Sequence, residues 1–269
     1  MSEQQSGGII LPTIPRKPTA VNARDMIISG KPKCGKTTVC AELPNSLLLD
    51  VENGSAFIES MVMTPPEGSG PVKKFKWLKE VAKSIVDAGR PYDYVIVDTL
   101  SQLDEDATFV GTFNYMNTIL GKEFNRKRDD KGNLVFENGK TIMLTPSDPN
   151  YQNVITLPNG AGYYHSRSAL LDIFETLRYL GRVCTIFICH ITDKMIGEKN
   201  GEQVMVKDLA LTGKLQSIVP RLVDSIATVW NEDGKMMISF DGNSDKIGGI
   251  RAKHTIGYVG ELQWNKIFI

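Results

Sequence analysis

A chain of 269 residues is long enough for one large domain, and its 41% hydrophobic content allows a sizeable core, which excludes global disorder. The 31 basic residues balance the 31 acidic ones, so any nucleic-acid surface has to be a local patch. Its four cysteines form no CxxC pair, which argues against a zinc site or a disulfide framework, and no apolar run reaches the ~20 residues of a membrane span; a cytoplasmic protein is expected.

Residues 1–22 are rich in Ser, Gln, Gly and Pro and lack a signal-peptide core. They are expected to be a flexible lead-in to a single domain over 23–269. Residues 25–29 (DMIIS) are a short apolar run that stops at Gly30, which reads as a buried strand. Residues 36–43 suit a helix ended by Pro44, and residues 46–50 (SLLLD) a second buried strand. Apolar residues at Phe75, Leu78, Val81, Ile85 and Val86 give helical spacing over 73–88, closed by Gly89. A third strand follows at 93–98 (DYVIVD), then a helix-like stretch at 103–120. Residues 125–160 break the rhythm. They are charged, then rich in Gly, Asn and Pro, and read as an insertion with a hairpin at Asn138–Gly139 or a flexible loop. Helical spacing returns over 166–180, and 183–190 (VCTIFICH) is a fourth buried strand. Residues 191–211 are polar and read as a loop; 214–223 form a short helix. Residues 225–232 and 235–240 flank Asp233–Gly234, a hairpin signal, and 258–269 pack as a last strand or helix. The alternation predicts an α/β fold, a mainly parallel twisted sheet flanked by helices, with a C-terminal antiparallel hairpin.

Residues 30–37, Gly30-Lys31-Pro32-Lys33-Cys34-Gly35-Lys36-Thr37, satisfy GxxxxGK[ST] at every fixed position. The glycines let successive N–H groups face phosphate oxygens, Lys36 reaches the β and γ phosphates, and the Thr37 hydroxyl ligates Mg²⁺. With Thr38 beside them, these residues predict binding of ATP with magnesium. Asp98 ends an apolar strand and is the expected second magnesium ligand, through water. Glu52, rather than Asp50, is the expected base that orients the attacking water. His190 ends the fourth strand at the carboxyl edge, where ligand crevices form, and is the expected γ-phosphate contact.

In order, GKPKCGKTT, LLLDVENG, YVIVDTLSQL, VCTIFICH and LALTGKLQSIVPRLVD resemble the motifs of a RecA-fold ATPase. The likeness is to the small RecA-core ATPases of bacteriophages, some of which anneal single strands. It spans residues 20 to 230, departing at His190, where the family usually has glutamine or asparagine. The resemblance implies that Glu52 is the catalytic glutamate and that His190 couples the γ phosphate to DNA-binding loops. Lys214 would reach a neighbouring subunit's nucleotide, and Arg251 is a candidate arginine finger in trans. It further implies a homo-oligomer, with single-stranded DNA and a single-strand binding protein as partners.

By that resemblance, loops at 150–166 and 191–211 face the DNA. Tyr163, Tyr164 and Arg167 offer base stacking and a phosphate cation; Lys194 is a candidate in the second loop. Lys122, Arg126, Lys127 and Arg128 form a further basic cluster. The expected function is DNA-stimulated ATP hydrolysis in recombination, annealing or replication. The alternative is a nucleotide-switched loader or regulator whose partner is another protein.

Overall fold

The computed structural model describes residues 13–199, 202–242 and 247–269. Strand β1 (Asp25–Gly30) is buried along its whole length. Its alternating side chains serve two cores: Ile27 faces one, Met26 and Ile28 the other. The chain then forms α1 (Lys36–Ala41), β2 (Ser46–Asp50), β3 (Met61–Met63), α2 (Pro71–Asp87), β4 (Tyr94–Asp98) and α3 (Leu100–Met116). The insertion carries a small hairpin, β5 (Phe136–Glu137) and β6 (Lys140–Thr141). Next come α4 (Gly162–Leu177), β7 (Cys184–Lys199), β8 (Glu202–Leu209), α5 (Leu215–Leu222), β9 (Ser225–Glu232) and β10 (Lys235–Ser239). Strands β11 (Gly249–Ile250) and β12 (Val259–Glu261) and helix α6 (Trp264–Ile267) complete the fold.

The main sheet runs β12-β10-β9-β1-β7-β4-β2-β3, with β11 added to β9 and β8 to β7. Its centre, β9 through β3, is parallel, and the hairpin strands at the other side are antiparallel. Helices α2, α3, α4 and α5 cover one face through Leu78, Leu103, Phe174 and Val219. On the other face lie α1 and the C-terminal segment, where Trp264 Nε1 donates to Val39 O at 2.9 Å. This is the expected α/β architecture, a mainly parallel sheet flanked by helices with an antiparallel hairpin at one side. Its register positions the site: β7 lies between β1 and β4, with Gly30 opposite His190, Asp98 opposite Ile188 and Asp50 opposite Asp98. Gly30, Asp50 and Asp98, each the last residue of its strand, therefore lie with His190 at one level, the carboxyl edge of the sheet.

Several boundaries differ from the sequence expectation. Helix α2 starts at Pro71, whose missing N–H costs nothing at a helix start. Helix α3 starts at Leu100, capped by the Thr99 hydroxyl, and stops at Met116 rather than 120. Helix α4 starts at Gly162, so Tyr163, Tyr164 and Arg167 stand on a helix and not on a loop. The largest correction concerns 191–211. Strand β7 does not stop at His190; it continues to Lys199 and pairs with β8 as an antiparallel ribbon. Adjacent charges at 193–194, 198–199 and 207–208 hid it, yet Asp193 sits directly across from Lys207, a favourable cross-strand pair. No described helix is long and apolar enough to cross a membrane.

Candidate functional site

The loop from β1 to α1 can only be built with its two glycines. A Cβ on Gly30 would come within 2.7 Å of Val229 O and 3.0 Å of Cys34 Sγ. Gly35 has φ +96° and a Cβ there would meet Met236 Cε at 2.8 Å. The loop is thus folded tightly against β9 and β10, with Lys36 as its one buried cation. Lys36 Nζ donates to Gly30 O at 3.0 Å and Lys31 O at 2.8 Å, and lies 3.4 Å from His190 Nδ1. Burial holds its pKa below the ordinary lysine value. Lys31, Pro32, Lys33 and Thr38 are exposed at the loop surface, and Cys34 is half-buried, its thiol 3.9 Å from Val229 O.

Behind the loop, Thr37 Oγ1 donates to Asp98 Oδ2 at 2.7 Å. Asp98 is 6% exposed, and burial pushes its pKa up to about 6 despite the Thr37 bond. The two carboxylates at the end of β2 and just beyond it have separate tasks. Asp50 is fully buried and accepts from the N–H groups of Glu52, Gly54 and Ser55, so it shapes the turn. Glu52 is left to face the site: its Oε1 accepts from the Thr99 hydroxyl and lies 3.8 Å from His190 Nε2. Burial, then the Lys36 ammonium, lowers the His190 pKa, so the ring is neutral near pH 7. Lys36 has donors only, which makes Nδ1 the acceptor and leaves the ring proton on Nε2, towards Glu52. The His190 N–H in turn donates to Ser101 Oγ at 3.0 Å. Of the residues expected from the sequence, the structure brings together Lys36, Thr37, Asp98, Glu52 and His190; the contacts of Thr99 and Ser101 were not among the expectations. The hydroxyls one and three residues beyond the strand-ending Asp98 were the available signal.

Residues 22–110 match a family profile described as an AAA domain. That stretch, about a third of the chain, includes the phosphate loop, Glu52 and Asp98. No curated protein matches the chain. The solved structures similar to it include a prototypical ATPase from the type III secretion system of pathogenic bacteria. That likeness is 12% identical with a TM-score of 0.39, covering 77% of this chain and 52% of that one, so this chain spans about half its length.

The oxygen set fits a magnesium ion. A hydroxyl and a carboxylate stand 2.7 Å apart, and the carboxylate is buried where a cation would relieve the cost of its charge. Thr37 would bind directly and Asp98 through water.

The remaining candidates lie apart from this cluster. Tyr163, Tyr164 and Arg167, from the first turns of α4, line a cavity of about 360 Å³ together with Thr212, Gly213 and Lys214. Tyr163 is 45% and Tyr164 62% exposed. Lys194 is not a free cation: its Nζ is 3.2 Å from Asp208 Oδ2 and 2.9 Å from Gln216 Oε1. Arg251 is at the amino edge, the far end of the sheet from the phosphate loop, where it pairs with Asp224 Oδ1 at 3.0 Å.

Proposed function

We propose that this protein hydrolyses ATP with Mg²⁺ at the Gly30–Thr37 loop and uses the cycle to grip and release single-stranded DNA as a homo-oligomer, in phage recombination, annealing or replication. The convergence of Lys36, Thr37, Asp98, Glu52 and His190 on one sheet edge carries the hydrolytic part. Loop N–H groups and Lys36 hold the phosphates. Glu52 orients a water and accepts its proton as the oxygen bonds the γ phosphorus, while the bond from that phosphorus to the β–γ bridging oxygen breaks and ADP leaves with phosphate. Neutral His190, hydrogen-bonded to Lys36, registers whether a γ phosphate is present. Magnesium, when bound, offsets the negative charge of the phosphate oxygens.

The DNA part draws on the resemblance and on the cavity under α4. Two exposed tyrosines offer stacking faces, and Arg167 and Lys214 supply two cations within the same hollow. In an oligomer Lys214 and Arg251 are the candidates to reach a neighbour's nucleotide. The test is ATPase rate titrated with single-stranded DNA, on protein of determined mass, alongside Lys36→Ala. DNA-stimulated turnover that vanishes in the variant supports the reading; no DNA binding in any nucleotide state at low salt sinks its DNA half.

One observation favours the second reading, a nucleotide-switched loader whose partner is a protein. An apolar groove lined by Val72, Phe109, Phe113, Met116, Leu144 and Tyr151 runs between α2, α3 and the insertion. Turnover stimulated only by a protein, and not by DNA, selects it.

A further inference from the structure

Thr99 stands between Asp98 and α3 and is 2% exposed. Its hydroxyl has one proton and two lone pairs. The N–H of Gln102 donates to it at 3.1 Å, so one lone pair caps the helix. The proton is therefore free for another acceptor, and Glu52 Oε1 takes it. Glu52 itself is on the turn after β2, its side chain one-third exposed, with three flexible torsions. Its other polar neighbour, His190 Nε2 at 3.8 Å, is beyond hydrogen-bond distance. A single hydroxyl thus selects one rotamer of the carboxylate.

We infer that Thr99 is a positioning residue for Glu52: its hydroxyl holds the candidate base at the γ-phosphate side of the site while the same oxygen fixes the start of α3. The inference rests on the hydrolytic reading above. It places three tasks in one short segment. Asp98 bonds Thr37, Thr99 aims Glu52, and Ser101 holds the backbone of His190. Movement of the first turn of α3 then shifts base and γ-phosphate contact together.

The experiment is steady-state ATP hydrolysis, nucleotide binding and thermal melting for wild type, Thr99→Val, Thr99→Ser and Thr99→Asp. Loss of the bond in Thr99→Val lowers kcat by about 10- to 100-fold, with KM for ATP within about twofold. Thr99→Ser keeps the hydroxyl and restores the rate. Thr99→Asp keeps an oxygen to cap Gln102 but has no proton for Glu52 and sets a second carboxylate against it, so it melts below wild type and turns over as slowly as Thr99→Val. In a Glu52→Gln background, Thr99→Val costs no further rate, because it acts through Glu52. Wild-type kcat in Thr99→Val or Thr99→Asp overturns the inference. So does a slow Thr99→Ser, or a full additional loss in the double variant. Where Thr99→Val does not fold, the Ser and Asp variants decide by the same criteria. Wild-type protein with no turnover overturns the hydrolytic reading, and the role of Thr99 with it.

Discussion

The two ends of β1 carry two polar clusters of opposite character. At the amino end, Asp25 is fully buried and closed on itself: Arg178 Nε is 2.6 Å from its Oδ2, and the Asp224 N–H donates to its Oδ1 at 2.7 Å. Asp224 in turn binds Arg24 at 3.2 Å and Arg251 at 3.0 Å. Every charge there faces an opposite one. At the carboxyl end, the ammonium of Lys36 faces neutral carbonyls and a neutral imidazole, and Asp98 faces a hydroxyl. Burial lowers the one pKa and raises the other, the signature of charges kept without full partners. One end of the strand is finished by its own residues; the other leaves its charges open to a ligand.

Variants at the two ends separate stability from activity. Arg178→Ala strands a buried carboxylate and is expected to cost about 3–5 kcal/mol of stability, measured by denaturant unfolding, with kcat per folded molecule unchanged. A comparable loss of kcat without loss of stability would break the comparison. Lys36→Ala works the other way. Phosphate release falls by about 100- to 1000-fold, while the melting temperature holds or rises, because an imperfectly paired buried cation is removed.

Smaller effects sharpen the picture. Tyr164→Ala loses a stacking face and weakens single-stranded DNA binding by about 1–3 kcal/mol in anisotropy titrations; Arg167→Ala lowers the salt slope by about one. For Asp98, proton and magnesium compete for one carboxylate. Magnesium-dependent nucleotide affinity is therefore full above about pH 7 and falls by up to about tenfold per pH unit below about pH 6. Its effect on stability has the reverse sign. The folded carboxyl, at about 6, holds its proton more tightly than at the ordinary 3.8, so its contribution is present below 3.8 and lost as pH rises through 6. Calorimetry without nucleotide checks the second trend, and titration with it the first. Arg251→Ala is the smallest, about 1 kcal/mol or less, since that guanidinium is 63% exposed.

The sequence was most readable where a structure-breaking residue bounds an apolar run. Strands β2, β4 and β9 and the turn at Asp233–Gly234 lie within one residue of expectation, and the phosphate loop with them. Helix starts were less readable, because the cap belongs to a residue outside the apolar pattern, as Thr99 does for α3. The three-residue edge strand β3 has exposed methionines and no alternation long enough to register. In the site, residue types announced Lys36, Thr37 and Asp98. Glu52 was preferred to Asp50 from the sequence, and the backbone supplies a reason: three N–H groups occupy Asp50. Lys194 was chosen for its charge and for its place in a loop that the resemblance assigns to DNA, and Arg251 for its charge; neither ground reveals that each already has a partner.

Strand β7 runs for 16 residues, held in the sheet by β4 as far as Ile188 and by β1 as far as His190, and by β8 alone beyond, with one register shift between Met195 and Gly197. Mechanically it is a beam clamped at one end, with the histidine at the clamp. The nine residues from 191 to 199 extend about 30 Å, so a tilt of about 5° at His190 swings Lys199 through about 3 Å. A displacement too small to disturb packing around Ser101 and Lys36 becomes, at the outer reach of the beam, a movement the size of a hydrogen bond.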